Sequence, residues 1–253
     1  MKSKYELAKV ASELRRHLGE DDYSYVDVFQ LAQAMENLSL VFYPMSERIS
    51  GMCIKGEGNV LIAINSSMTY GRQRFTMAHE LYHCFFDDMD IVVCTQDIGV
   101  SSDMEKNANA FASFFLAPPA ALSAAISSIK LKKSSEERIV LDRADIVKLE
   151  QLFGMSRQAM LIRLVDEDEL SHEETNPMRT NVISHALSLG YADSLYRPSP
   201  EERARMTYGC YIKRAEDLLN RGLISNGKHD ELLLEAFRAD LVYGVDERGE
   251  LVD

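Results

Sequence analysis

The chain has 253 residues, of which 46% are hydrophobic and 27% are charged, as is typical of a soluble globular protein with one or two domains. Its formal net charge of −12 argues against a general nucleic-acid binder, because contact with phosphates requires a basic face. The four cysteines are widely spaced and form no C-x-x-C pair, so we expect reduced thiols and a cytoplasmic location.

Two helices and then a small antiparallel sheet are predicted for the first 65 residues. The predicted helices cover 4–18 and 26–36, and the predicted strands cover 38–43, 51–54 and 59–64. Gly56-Glu57-Gly58, between the last two strands, is typical of a hairpin turn. The segment 59–65 is either an internal strand or a free edge that receives an extended substrate by strand addition.

The next segment contains the H-E-x-x-H string His79-Glu80-Leu81-Tyr82-His83. We predict a helix over 72–87, in which both imidazoles face the same way because four residues make slightly more than one turn. Two histidines in this arrangement can share one zinc ion, and Glu80 can take a proton from the water that zinc activates. Polar side chains occupy a sector of only about 100°, so we expect a buried helix whose polar stripe needs a shared partner.

A zinc peptidase site needs three protein ligands and one open position. The other histidines lie far away in the sequence, and 85–89 lack the glycine and histidine of the metzincin extension. A carboxylate from the following helix, predicted over 103–116, is the alternative. Glu105 fits best, because Ala108 on the same helical face permits a close approach, and Asn109 can hold the carboxylate or a histidine by a hydrogen bond. Weaker candidates are Asp87, Asp88 and Asp103.

The segments on either side of this predicted helix are less regular. We predict an irregular acidic stretch over 87–103. Residues 108–129 carry no charge, but Pro118-Pro119 interrupts them, which favours two short buried helices over a membrane span. The first residues also lack an apolar core of signal-peptide length. We therefore expect no membrane partner.

The rest of the chain is predicted to be helical. Segments 141–153 and 156–165 outline a helix-turn-helix-like pair (141–165), but their charges nearly balance, so helix packing is favoured over DNA binding. A polar run then predicts a boundary between a domain at 1–168 and a helical domain at 178–253. Helices are predicted in the second domain at 180–189, 200–222 and 228–239, and Ser199-Pro200-Glu201-Glu202 is a good helix start.

Two strings around the H-E-x-x-H sequence carry a family resemblance. Residues 72–83 read RQRFTMAHELYH, and 105–112 read EKNANAFA, followed by Pro118. Together with ISG at 49–51 and IAIN at 62–65, they resemble the ImmA/IrrE family of metallopeptidases over about residues 25–165. The resemblance implies an α+β, zincin-like metallopeptidase core with helices and a small antiparallel sheet, followed by the helix-turn-helix-like pair and the helical C-terminal region.

The resemblance also implies the chemistry. It implies a gluzincin-like Zn²⁺ site with His79, His83 and Glu105 as ligands and Glu80 as the catalytic base. The family's known role is cleavage of helix-turn-helix repressors, which relieves repression in mobile elements or stress responses. Such a repressor is the expected partner, and we expect no direct nucleic-acid binding.

Two other functions and several roles stay open. The protein is alternatively a non-proteolytic regulator or antitoxin-like binding module that retains the fold, although an intact Glu80 favours the enzyme. A general gluzincin peptidase is the third hypothesis. Arg72, Tyr70 and His185 are candidate donors to the oxyanion, among which the sequence does not choose. It also leaves open the role of 178–253 and the oligomeric state.

Overall fold

The computed structural model describes residues 2–95, 102–133 and 140–244. The strands are β1 Leu38–Tyr43, β2 Ile49–Gly56, β3 Asn59–Asn65, β4 Ile91–Thr95 and β5 Met206–Gly209. The helices of the first two thirds are α1 Lys4–His17, α2 Val28–Ala34, α3 Tyr70–Phe86, α4 Asp103–Leu116, α5 Pro119–Leu131, α6 Arg143–Phe153 and α7 Arg157–Asp166. Those that follow are α8 His172–Thr175, α9 Val182–Ser188, α10 Cys210–Asn220, α11 Asn226–Glu235 and α12 Ala239–Tyr243. The α+β class is confirmed.

The strands form one mixed sheet in the order β4-β2-β3-β1-β5. β2 and β3 make the predicted antiparallel hairpin, with positive φ angles of 49° at Glu57 and 77° at Gly58 in its turn. β1 pairs with β3 in parallel, so the sheet is not the purely antiparallel one expected from the sequence. The chain reverses before β2 and again before β3, so β1 and β3 run the same way. Strand patterns alone do not reveal that these two are neighbours.

The position of β3 answers the question that the sequence left open. β3 lies between β2 and β1 and is therefore an internal strand. In the described part of the chain, the edge on the β2 side is instead β4, which pairs antiparallel with β2. β4 lies in the stretch predicted to be irregular. The run Ile91-Val92-Val93 has the β-branched composition of a strand, but acidic residues precede and follow it and obscured that signal.

α3 and α4 build the core beside the sheet. α3 packs on β2 and β3 and against α4, and α1 covers α4. The facing side chains are apolar and fully buried; they include Met77, Ala78 and Leu81 on α3 and Ala108, Phe111 and Phe115 on α4. The prediction of a buried α3 is thus confirmed. Ser102 caps α4 by accepting a hydrogen bond from the backbone N–H of Glu105 (3.2 Å), which fixes Glu105 in the first turn of the helix.

The helix-turn-helix-like pair consists of α6 and α7. Gly154 ends α6 in the left-handed conformation (φ 62°), and the Ser156 side chain caps α7. The two helices are joined by a buried ion pair between Glu150 and Arg157. Arg157 also donates to the carbonyl of Met178 (2.7 Å), and the Tyr196 hydroxyl donates to Glu150 (2.7 Å). These contacts tie the pair to the segments that follow it.

Replacing Arg157 with alanine should destabilise the fold by about 3 to 5 kcal/mol, because the fully buried Glu150 carboxylate then loses its cation. Urea unfolding followed by circular dichroism measures this loss. Lys148→Ala is the control, since it removes an ion pair with Asp145 in which the Lys148 side chain is 51% exposed. We expect that change to cost less than about 1 kcal/mol. Equal losses for the two variants would contradict the prediction.

The prediction of a helix over 200–222 is wrong for the first half of that segment. Residues Glu201–Arg203 form only a short 3-10 turn, β5 follows, and α10 begins at Cys210. The Ser199 hydroxyl donates to the Gln73 side chain (2.9 Å) instead of capping a helix. Pairing of β5 with β1 then outweighs the local helix signal. This pairing attaches the region after Pro177 to the sheet, while the division into 1–168 and 178–253 stays a prediction.

Among the described residues, no single helix combines the length and apolar composition needed to cross a membrane. α4 and α5 meet those two requirements only jointly, as a pair bent by 57°.

Candidate metal centre

Hydrogen bonds from two polar side chains fix the start of α3. Asn65, at the end of β3, donates to the carbonyl of Ile49 (2.7 Å) and accepts from the N–H of Met45 (3.0 Å), so it links β3 to the segment before β2. Gln73 donates to the carbonyls of Ser66 (3.1 Å) and Met68 (2.6 Å) in the loop that enters the helix. The histidines of α3 therefore occupy a fixed position relative to the sheet.

Three side chains from α3 and α4 converge on one point. The Nε2 atoms of His79 and His83 are 3.1 Å apart. The Glu105 carboxylate spans both, with Oε2 3.3 Å from Nε2 of His79 and Oε1 3.3 Å from Nε2 of His83. Ligand atoms around a tetrahedral zinc ion, at bond lengths of about 2.0 to 2.1 Å, stand about 3.3 Å from one another. The spacing and the N/O chemistry of these donors fit zinc.

Each imidazole is oriented through its other nitrogen. Nδ1 of His79 lies 3.0 Å from Oδ1 of Asn109, and Nδ1 of His83 lies 2.9 Å from Oδ2 of Asp87. Both partners are acceptors, so with a metal bound each Nδ1 would carry the proton and each Nε2 lone pair would be free to bind the ion. Asp87, considered above as a weak ligand candidate, thus contacts a histidine instead. The sequence signal for this contact is its spacing of four residues from His83.

The titration behaviour of the cluster follows from these contacts. Hydrogen bonds from His79 and His83 hold the pKa of Glu105 well below its ordinary value. Burial lowers the pKa of His83, but its bonds to Glu105 and Asp87 outweigh burial and raise it. Burial raises the pKa of Asp87, yet the hydrogen bonds from Met89 and His83 lower it overall.

Glu80 lies on the same helix and is fully buried. Within the described residues, neither of its carboxylate oxygens has a hydrogen-bond partner. Burial raises the pKa of Glu80, because an apolar environment disfavours the charged carboxylate. Gly51 makes room for it, because a Cβ at that position would stand 2.9 Å from Oε1 of Glu80 and 2.7 Å from Cγ2 of Thr76.

Two further residues beside the donor cluster lie on strands and were not predicted from the sequence. The ammonium of Lys55, on β2, donates to the carbonyls of His83 (3.1 Å) and Asp87, which fastens the end of α3 to the sheet. Cys94, on β4, is 2% exposed, and its sulfur lies within 4.8 Å of donor atoms of His79, His83 and Glu105. Its spacing from the histidines matches no metal-site pattern, so only the pairing of β4 with β2 reveals it.

The candidate oxyanion donors lie elsewhere. Arg72 is half-buried near the start of α3, about 10 Å along the helix axis from His79. Tyr70 packs its ring against Phe29, with ring centroids 5.6 Å apart. His185 lies on α9, and burial together with the charges of Arg143 and Arg157 lowers its pKa. His185 is not part of the donor cluster between α3 and α4.

Changing Asp87 to asparagine should weaken zinc binding by about 10- to 100-fold, because the amide holds the His83 ring less strongly than the carboxylate does. Competition with a chromophoric chelator measures the affinity. The neighbouring Asp88→Asn is the matched control, since this carboxylate is exposed and makes none of the contacts to His83. The role assigned to Asp87 fails if the two variants bind zinc equally well.

Comparison with known families agrees with this geometry. A search of curated proteins found no match to the chain. Residues 37–165, about half of the chain, match the family model described as the IrrE N-terminal-like domain, a peptidase family. The matched range contains β1 to β4, both helices of the donor cluster and the α6–α7 pair. The resemblance inferred from the motifs is thereby confirmed: the chain belongs to the IrrE N-terminal-like family and contains its metallopeptidase-like domain.

Proposed function

We propose that this protein is a zinc-dependent endopeptidase that cleaves a helix-turn-helix transcriptional repressor and so relieves repression. The observation that carries the peptidase part is the convergence of His79, His83 and Glu105 beside the buried, unpartnered carboxylate of Glu80. The repressor part rests on membership in the IrrE N-terminal-like family and on the resemblance to ImmA/IrrE proteins.

Each residue has a distinct task in this proposal. Bound zinc would lower the pKa of a water molecule and polarise the carbonyl of the scissile bond. His79, His83 and Glu105 hold the ion, while Asn109 and Asp87 fix the two imidazole rings. Glu80 accepts the proton of the attacking water on its carboxylate and then donates it to the leaving amine nitrogen.

The alternative, a binding module without proteolysis, explains the buried base less well. A buried carboxyl group without hydrogen-bond partners costs stability, and a protein that only sequesters its partner gains nothing from it. A catalytic base is worth that cost because it moves a proton in every turnover. The state of Glu80 therefore favours the enzyme over the binding module.

The test is to incubate the zinc-loaded full chain with the helix-turn-helix repressor encoded beside its gene. We expect cleavage of the repressor at one or a few bonds, which gel electrophoresis and mass spectrometry of the fragments would reveal. Unfolded casein serves as the second substrate and should stay largely intact.

Three results would contradict parts of the proposal. Cleavage that survives Glu80→Gln would overturn the mechanism. Extensive cleavage of casein would indicate a general peptidase. A stable complex with the repressor but no cleavage would indicate the binding module.

A further inference from the structure

We propose that Cys94 is a fourth protein ligand of the metal, so that the site is closed in this conformation and opens only when β4 withdraws. The ligand assignment stands on geometry alone. The inference that the closed site is a latent peptidase rests on the function proposed above.

The position of the Cys94 sulfur supports a fourth ligand. The four donor atoms of His79, His83, Cys94 and Glu105 all lie within 4.8 Å of one another. Nitrogen and sulfur ligands of one tetrahedral zinc stand about 3.5 Å apart, so an inward shift of at most about 1.3 Å completes the set. A thiolate is a good zinc ligand, and a fourth protein ligand is what distinguishes closed zinc sites from catalytic ones. Binding releases the thiol proton to solvent and changes no oxidation state.

The burial of the Glu80 carboxylate also fits a closed site. A base that activates water in an open site faces that water, but Glu80 is fully buried, and neither carboxylate oxygen has a partner among the described residues. Cys94 shares the donor cluster with His79, the residue next to Glu80 in the chain. A thiolate that completes a four-coordinate set leaves no open position for the water that Glu80 would activate.

β4 lies at the edge of the sheet, and its buried residues Val92 and Cys94 are not part of the main hydrophobic core. β4 has five residues and pairs only with β2 in the described structure. Its outer side chains are largely exposed, with Ile91 at 60% and Val93 at 48%. The register between β2 and β4 shifts between Ile49 and Gly51, beside Cys94. Short edge strands with few buried contacts are among the first segments of a fold to open.

The experiment replaces zinc with Co²⁺ in the full chain and records the absorption spectrum. Cobalt bound to a thiolate gives a charge-transfer band in the near ultraviolet, which nitrogen and oxygen ligands do not produce. We expect this band in the wild type and in Cys53→Ala, and its loss in Cys94→Ala. Cys53 is the matched control because it is a buried thiol on the neighbouring strand that is not in the donor cluster. Cys94→Ser replaces the alanine variant if the latter does not fold.

Two further measurements complete the test. We expect Cys94→Ala to bind Zn²⁺ at least about 10-fold more weakly, since one ligand is lost, and to cleave the repressor faster than the wild type. Stoichiometric cobalt without the band in the wild type would overturn the ligand assignment and leave the peptidase proposal intact. A band without any proteolysis, in the wild type or in Cys94→Ala, would support the ligand and overturn the peptidase. Faster cleavage in Cys53→Ala to the same degree would overturn the latency.

Discussion

Glu80→Gln is expected to lower the rate of peptide hydrolysis by about 10²- to 10⁴-fold, the contribution of a positioned general base. The amide has the shape of the carboxylate but cannot accept the proton of the attacking water. It also removes an unpartnered carboxylate from a fully buried position, so the folded state should not lose stability.

The measurement is the initial rate of repressor cleavage at saturating zinc, together with the zinc content of the purified variant. We expect zinc content to stay at the wild-type level, because Glu80 does not belong to the donor cluster. Glu57→Gln, at the exposed hairpin turn, is the control and should cleave at the normal rate. Equal rates for Glu80→Gln and Glu57→Gln would remove Glu80 from the mechanism.

Glu105→Ala should weaken zinc binding by more than about 100-fold, a larger loss than residues that merely orient a ligand produce. The change removes the carboxylate that spans both imidazoles. The zinc-dependent rise in melting temperature should disappear with it, because a ligand stabilises the folded state only in proportion to its affinity.

Chelator competition and thermal unfolding with and without zinc measure these two effects. Asp103→Ala is a matched control, since it removes another acidic residue from the first turn of the same helix without touching the donor cluster. Retention of tight zinc binding in Glu105→Ala would show that the third ligand is a different residue.

The elements that could be predicted from the sequence are those in which apolar residues repeat at a regular spacing. α3 and α4 were placed within two residues of their observed bounds, since apolar residues repeat along them at helical spacing. Side chains three or four residues apart on one helix share a face whatever the tertiary fold. The structure brings His79 and His83 to a common point with Glu105, and their roles as ligands stay predictions.

Contacts between distant segments could not be predicted in the same way. β5 is only four residues long, and the helix signal at Ser199 is as good locally as that of a real helix start. Its strand conformation comes from pairing with β1, more than 160 residues earlier in the chain. Cys94 reaches the donor cluster only because β4 pairs with β2. The register of that pairing cannot be predicted from the sequence of either strand alone.

The pairing of β5 with β1 has a consequence for the behaviour of the metallopeptidase-like domain in solution. β1 carries the buried side chains of Leu38, Leu40 and Phe42, and its outer backbone groups bond to β5. Without β5, this strand would present a row of unpaired N–H and C=O groups next to an apolar face, which is a template for pairing with other chains. By pairing with β1, β5 protects this edge of the sheet from aggregation. The opposite edge is β4, which carries Cys94.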